Sequence, residues 1–177
     1  MINPAGSDMA ADKQVMQRML LSLKHRGPDD SGIWQDNTRG VTLGHVRLSI
    51  LDLSAAGHQP MVSDSGMHVL SYNGEIYNFD EIKAEIEKED PGIVWQGHSD
   101  TEIILKAMER WGVTMSLAKF NGMFAFALWN AKEQTLTLAR DRLGKKPLYY
   151  GLSRKGLVFA SELKALRASG CFNCSVN

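Results

Sequence analysis

Cysteine is scarce in this sequence. Only two of the 177 residues are cysteines, Cys171 and Cys174, and they form one CxxC pair near the C-terminus. Such a pair can be redox-active or supply half of a metal site, but a second pair is absent and the five histidines have no ligand-like spacing. We therefore expect incidental thiols and no bound metal.

Long hydrophobic runs and an excess of charge are absent too. No segment approaches the ~18 apolar residues of a membrane span, and residues 1–8 lack the basic region and apolar stretch of a signal peptide. The 20 basic residues balance the 20 acidic ones, so no long-range field attracts nucleic acid or an anionic membrane. We expect a cytoplasmic protein with neither of these partners.

Three helices are predicted from periodicity and end signals. Asp12 can cap the first helix, which Gly27 and Pro28 end, and Asp80 opens a second, charged helix. The segment 99–102, Ser-Asp-Thr-Glu, has the pattern of a capping box for a third helix that ends at Gly112. A hydrophobic content of 44% is enough for one packed domain.

Short β-rich runs surround the second and third helices. The predicted strands are 32–34, 41–50, 68–76, 123–130, 135–140, 147–151 and 157–160, followed by a short helix at 161–167. Short loops between the last four strands predict an antiparallel meander. Because strands and helices do not alternate regularly, the fold class is α+β and not a doubly wound parallel sheet.

Arg47 is a first candidate for a functional residue. It lies in the strand-like run 44–50 between apolar residues, which would draw its guanidinium towards the interior. A buried guanidinium requires an anionic partner. A structural salt bridge and a ligand carboxylate both remain open.

Three further polar features could carry chemistry. Asn73 and Gly74 together could stabilise an oxyanion, although this dipeptide is also the commonest hairpin turn, which the pattern alone favours. Asp100 could bind a ligand ammonium group at the start of its helix, but capping alone would explain it. The basic residues in 140–146 predict a solvated loop, since no Gly-rich phosphate cradle accompanies them.

A series of motifs covers the chain from His25 to about Leu166. They are HRGPD (25–29), RLSI (47–50), NGEIYN (73–78), SDTE (99–102), NGMFAFA (121–127), RD (140–141), PLYY (147–150) and ASE (160–162). Each motif is weak alone, but their order and spacing resemble the class II glutamine amidotransferase domain of glutamine-hydrolysing asparagine synthetases.

This resemblance implies a fold and a site. The fold would be the αββα sandwich of N-terminal nucleophile hydrolases, two antiparallel sheets between helical layers, with the first strand missing. In the family, the residue matching Arg47 holds the glutamine α-carboxylate and that matching Asp100 takes the α-ammonium. The implied oxyanion hole is Asn73 and Gly74, and the implied substrate-binding set is Arg47, Leu48, Ile50, Glu75 and Asp100.

The implied chemistry requires an N-terminal cysteine. Its thiolate attacks the glutamine side-chain amide with the α-amine as base, which gives a thioester and ammonia before water releases glutamate. Family members begin Met-Cys-Gly-Ile, whereas this chain begins Met1-Ile2-Asn3. We expect the chain as given to be inactive. Either it starts late, which we favour, or it is a natural glutamine-binding or interaction module.

The resemblance also implies a domain organisation. Residues 1–12 would be a flexible remnant, 13–168 the amidotransferase domain and 169–177 the start of a linker to a synthetase domain outside this chain. The amidotransferase domain would need no cofactor, whereas the synthetase domain would use ATP and Mg²⁺ to amidate an acid, by default aspartate. Glutamine and that domain are the expected partners, and the edge left by the missing strand would favour a homodimer.

Overall fold

The chain divides into two compact units. The computed structural model describes residues 1–2, 8–48, 55–153 and 156–172. Residues 1–48 and 147–177 form one unit, here called the terminal unit, and residues 49–146 form the central unit. Both combine antiparallel strands with helices, which agrees with the predicted α+β class.

The order of helices and strands along the chain resembles the predicted order, with the short strand β3 in addition. The helices are α1 (Met9–Leu23), α2 (Phe79–Glu89), α3 (Asp100–Lys119) and α4 (Leu163–Ala168). The strands are β1 (Asp30–Asp36), β2 (Val41–Arg47), β3 (Met61–Val62), β4 (His68–Ile76), β5 (Gly122–Asn130), β6 (Thr135–Arg140), β7 (Tyr149–Ser153) and β8 (Gly156–Ala160). Within the described residues, no helix is both long and apolar enough to cross a membrane.

The terminal unit contains two antiparallel hairpins, β1–β2 and β7–β8, with α1 and α4. The apolar residues of α1 recur at helical spacing and form one stripe, which packs against strand and α4 residues. The buried members of this core are Met1, Met16, Met19, Leu23, Val158, Ala165 and Leu166.

Met1 and Ile2 are ordered parts of the terminal unit. Ile2 forms antiparallel bridges with Val41 of β2 and Leu157 of β8. The Met1 amine donates to the Thr42 carbonyl oxygen at 2.7 Å, and burial lowers the pKa of this amine to about 5. Our expectation that order begins after residue 12 is therefore wrong at these positions.

Helix α1 also begins earlier than predicted. The Asp8 side chain accepts hydrogen bonds from the backbone N–H groups of Ala10 and Ala11, so Asp8 is the N-cap. Asp12, the predicted cap, lies inside the first turn, where a carboxylate is still favoured by the helix dipole.

The central unit consists of the sheet β3–β4–β5–β6 with α2 and α3. Alternate residues of β4 and β5 point to one face, where Leu70, Tyr72 and Ile76 meet Phe124 and Phe126. The buried residues of the two helices cover this face: Ile82, Ile86, Ile103, Ile104, Leu105, Ala107 and Met108. The central core therefore lies between the β4–β5 pair and the helices.

Two predictions about this unit need correction. Gly112 has a φ of 76°, as expected for a helix terminator, but a second helical segment follows it directly and extends to Lys119. The predicted four-stranded meander ends at β6, because residues 141–146 form a loop built around Asp141 instead of a tight hairpin. The β7–β8 hairpin belongs to the terminal unit.

Candidate functional site

Asn73 and Gly74 lie inside β4. They pair with Ala125 and Phe124 of β5 in an uninterrupted antiparallel register. The hairpin-turn interpretation of this dipeptide is therefore wrong. The alternating apolar residues around it decide the outcome, because burying them against the helices requires an extended strand.

Gly74 permits a close approach of β4 to β5. A Cβ atom at this position would lie 2.5 Å from the Met123 carbonyl oxygen and 2.8 Å from the Phe124 Cα. These are backbone atoms within a paired sheet, so neither can move aside cheaply. Any side chain here would displace β4 and with it the Asn73 amide.

The edge of β4 that faces away from β5 presents backbone donors. The Tyr72 N–H donates to the Gln59 Oε1 at 2.7 Å, and the Ile76 N–H donates to the Asp100 Oδ2 at 3.0 Å. Because backbone groups alternate along a strand, the Gly74 N–H between them points to the same edge.

The Asn73 side chain adds a second donor. Its Nδ2 is buried and makes no hydrogen bond within the part of the chain that the structure describes. Buried amide nitrogens are nearly always paired, so an unpaired one marks a place for a missing acceptor. Two adjacent donors of this kind can stabilise an anionic oxygen.

Asp100 reaches the same strand from the start of α3. Its Oδ2 accepts hydrogen bonds from the Tyr72 hydroxyl at 2.7 Å and from the Ile76 N–H. Only 5% of the residue is exposed, and burial raises the pKa of its carboxyl above the ordinary value. The structure thus places Asp100 in contact with Tyr72 and Ile76, which flank Asn73 and Gly74 on β4.

The capping-box prediction is wrong in detail. The Ser99 side chain makes no cap hydrogen bond, and its buried Oγ has no partner among the described residues. Glu102, the other member of the pattern, accepts from the backbone N–H groups of Gln96 and Gly97 at 2.9 Å each. The Glu102 carboxylate thus binds the loop before α3 instead of completing a capping box. The Ser99 hydroxyl, next to Asp100 in the sequence, makes no hydrogen bond to the start of the helix.

Arg47 ends β2 in the terminal unit. A Cβ on Gly27 would lie 2.5 Å from the Arg47 backbone nitrogen, so the glycine packs flat against this residue. The Asp29 N–H also donates to the Arg47 carbonyl oxygen at 3.1 Å. The HRGPD segment therefore positions Arg47, whose side chain is half-buried.

The same segment forms ion pairs with the ASE motif. Glu162 Oε1 accepts from Arg26 at 2.9 Å and lies 3.1 Å from the His25 Nε2, while Oε2 lies 3.1 Å from the Lys164 Nζ. The hydrogen bond from Arg26 is the main reason that the pKa of Glu162 falls to about 2. This cluster anchors the turn that precedes β1.

The remaining predicted site residues are Leu48, Glu75 and Ile50. Leu48 follows Arg47 with 54% exposure, and Glu75 is exposed on β4. Ile50 lies outside the described residues, as does Cys174, whereas Cys171 is a half-buried free thiol. Sequence reasoning missed Tyr72 and Gln59, because no local pattern indicates which loop or helix covers a strand.

The basic loop after β6 is organised by a buried carboxylate. Asp141 accepts hydrogen bonds from the backbone N–H groups of Phe124, Leu143, Lys145 and Lys146. These bonds outweigh burial and lower the pKa of Asp141 to about 2. The side chains of Arg140, Arg142 and Lys145 are exposed, which agrees with the predicted solvated loop, whereas its organisation around Asp141 was not predicted.

Asp141→Asn should destabilise the protein by about 2 kcal/mol at pH 7, because the charged acceptor of several backbone donors is lost. The folded-state pKa is depressed from 3.8 to about 2, so this stability is present above pH ~4 and lost as the pH falls towards 2. Urea unfolding at several pH values measures the difference. Lys145→Ala, which keeps the backbone donor, is the control, and equal stability of the two variants would contradict the role of Asp141.

The structure resembles a solved enzyme of known fold. It matches the glutamine phosphoribosylpyrophosphate amidotransferase of Bacillus subtilis, complexed with ADP and GMP, with a TM-score of 0.73 and 24% identity. The match covers 89% of this chain and 41% of that chain. The fold is therefore that of the N-terminal nucleophile hydrolases, as the resemblance predicted.

Sequence relatives define the family. Residues 2–177 match the model of the glutamine amidotransferase domain. Asparagine synthetase B of Escherichia coli is 39% identical over 164 residues (90% of this chain, 28% of that protein), and asparagine synthetase 3 of Bacillus subtilis 38% over 162 (90% and 25%). An amidase of Gibberella zeae is 40% identical over 161 residues (89% and 23%). The chain belongs to the glutamine amidotransferase domain family, and it spans about a quarter of the length of these relatives.

Proposed function

We propose that this chain is the glutaminase domain of an asparagine synthetase-like amidotransferase, which hydrolyses glutamine to glutamate and ammonia. The main support is the buried Asn73 Nδ2, which has no hydrogen-bond partner among the described residues and is followed on β4 by Gly74. A site built to stabilise a developing oxyanion presents such preorganised donors before the ligand arrives.

The substrate would be held by both of its α-substituents. The Arg47 guanidinium fork would bind the α-carboxylate of glutamine, and the Asp100 carboxylate would bind the α-ammonium. By the family resemblance, Leu48, Ile50 and Glu75 would also contact the substrate. The side-chain amide would then lie at Asn73 and Gly74, whose donors fit the negative oxygen of the tetrahedral intermediate.

The nucleophile would be an N-terminal cysteine. Its thiolate forms a bond to the amide carbon, ammonia leaves with a proton relayed by the α-amine, and water hydrolyses the thioester to glutamate. Cys171 and Cys174 lie after the last strand and cannot supply an α-amine at the chain start. A protein of these 177 residues should therefore bind glutamine without turnover.

The complete protein would contain a synthetase domain joined after residues 169–177. That domain would use ATP and Mg²⁺ to activate an acid, by default aspartate, and would receive the ammonia, whereas the domain at 13–168 needs no cofactor. We place this activity in the cytoplasm and allow for a homodimer. Support comes from the glutamine-hydrolysing asparagine synthetases among the relatives.

Calorimetry with L-glutamine and D-glutamine tests the binding step. We expect saturable binding of the L-isomer only, because the two α-substituents and the amide must be engaged at three fixed points. Equal affinity for L- and D-glutamine, or binding of neither isomer, would refute the proposal.

An N-terminal extension tests the chemistry. A chain that begins Met-Cys-Gly-Ile before the present sequence should release ammonia from glutamine once its initiator methionine is removed, and the matched Met-Ser-Gly-Ile extension should not. Binding without hydrolysis by the Cys-extended chain would instead favour the alternative, a catalytically inactive glutamine-binding or interaction module.

A further inference from the structure

Tyr72 is a buried polar residue that the proposed reaction does not use directly. It is 3% exposed and lies on the helix-covered face of β4, among the core residues of the central unit. Its hydroxyl donates a hydrogen bond to the Asp100 Oδ2 at 2.7 Å. A phenylalanine would fill the same volume, so packing alone does not explain the hydroxyl group.

The position of Tyr72 is determined independently of Asp100. Its backbone N–H donates to the Gln59 Oε1, and its strand is paired with β5 opposite Phe126. The ring is therefore held from the strand side, while Asp100 arrives from α3. The hydrogen bond orients the carboxylate, because the Ile76 N–H on the same strand shares the same oxygen.

We propose that Tyr72 is a positioning residue for ligand ammonium binding, which holds the buried Asp100 carboxylate in its ionised form and in one orientation. This inference rests on the proposed function, in which Asp100 binds the α-ammonium of glutamine. Tyr72 acts through Asp100 and does not touch the substrate.

The charges around Asp100 agree with this role. Burial raises the pKa of the Asp100 carboxyl, and the hydrogen bond from Tyr72 is the strongest influence that lowers it. Glu75, on the same strand as Tyr72, raises it further, and the exposed His98 precedes α3 by two residues. Burial also raises the pKa of Tyr72, so the shared proton stays on the phenol.

A pH dependence follows with a definite sign. An ammonium ligand requires the ionised carboxylate, so affinity falls as the pH drops through the pKa of Asp100. Loss of the Tyr72 hydroxyl removes a hydrogen bond to the ionised Asp100 carboxylate. The pH at which protonation of Asp100 has halved the affinity, here called the acid midpoint, should therefore rise by about one unit.

Calorimetric titration of L-glutamine against Tyr72→Phe between pH 4 and 8.5 tests the inference. Below both midpoints the variant should bind about tenfold more weakly than the unmodified chain. Above them the two affinities should agree within about twofold, because Asp100 is then ionised in both. Tyr150→Phe, which removes a hydroxyl from a residue that is 70% exposed, is the matched control and should leave the profile unchanged.

The outcomes separate the two hypotheses. If the unmodified chain binds no glutamine, the proposed function fails. If it binds and Tyr72→Phe has an unchanged acid midpoint, the positioning role is refuted, whether the affinity is normal or uniformly lower at every pH. Uniform weakening would indicate a purely structural contribution, and His98 cannot mimic the shift because it is present in both proteins.

Discussion

Arg47→Ala is expected to weaken glutamine binding by at least ~100-fold. The α-carboxylate would enter its pocket without a cationic partner, and an unpaired charge in a partly desolvated site costs about 3 kcal/mol or more. Calorimetry at pH 7.5 measures the loss. Unfolding should be affected much less, because the packing of Gly27 against the Arg47 backbone and the hydrogen bond from the Asp29 N–H to the Arg47 carbonyl oxygen do not depend on the side chain.

Two further variants make the Arg47 experiment specific. Arg39→Ala removes an exposed guanidinium from the β1–β2 turn and should bind glutamine normally. Arg47→Lys keeps the charge but loses the bidentate fork, so its affinity should lie between those of the unmodified chain and Arg47→Ala. Normal affinity in Arg47→Ala would show that the ligand carboxylate is bound elsewhere.

Asp100→Asn should have the second largest effect, a loss of glutamine affinity of about 30-fold or more, because the α-ammonium loses its counter-charge in a buried site. The fall in glutamine affinity at low pH should disappear as well, since the Asp100 carboxyl that takes up the proton is absent. The asparagine Oδ1 can still accept from the Tyr72 hydroxyl and the Ile76 N–H, so the fold should be retained.

The control for this variant is another helix-start aspartate. Asp80 lies exposed in the first turn of α2, and Asp80→Asn removes a charge from the same kind of helix position. It should reduce stability by no more than a few tenths of a kcal/mol and leave binding unchanged. Equal losses of affinity in the two variants would mean that Asp100 acts only through helix stability.

Local sequence signals located most elements of the fold. The apolar stripe of α1, the Pro-Gly pair after α2 and the β-rich runs around 123–140 each depend on near neighbours, so their positions could be predicted. The predicted start of α1 was wrong, because the nearby Asp8 caps the helix instead of Asp12. The predicted start of α3 was right, but Glu102 accepts hydrogen bonds from the preceding loop instead of completing a capping box. In both cases the local pattern allowed more than one partner for the backbone N–H groups.

The larger errors involved contacts between distant segments. Asn73–Gly74 has the composition of a turn, but burial of Tyr72 and Ile76 under α3 makes it part of a strand. The segment at Met1 and Ile2 has no strand pattern, yet it bridges β2 and β8 by backbone hydrogen bonds that any residue type could make. The predicted strand at 68–76 already contained the dipeptide, whereas no window of the sequence shows the bridges of Ile2.

The sequence by itself determined the α+β class and most helices and strands, because periodicity depends on residues close together in the chain. It also identified the candidate residues Arg47, Asn73, Gly74 and Asp100 through the order of the motifs. Only the tertiary structure decided that the Asn73 amide nitrogen has no partner among the described residues and that the Tyr72 hydroxyl donates to Asp100. These properties arise from the desolvation and pairing of groups far apart in the chain, and such pairing is a consequence of packing that no local pattern encodes.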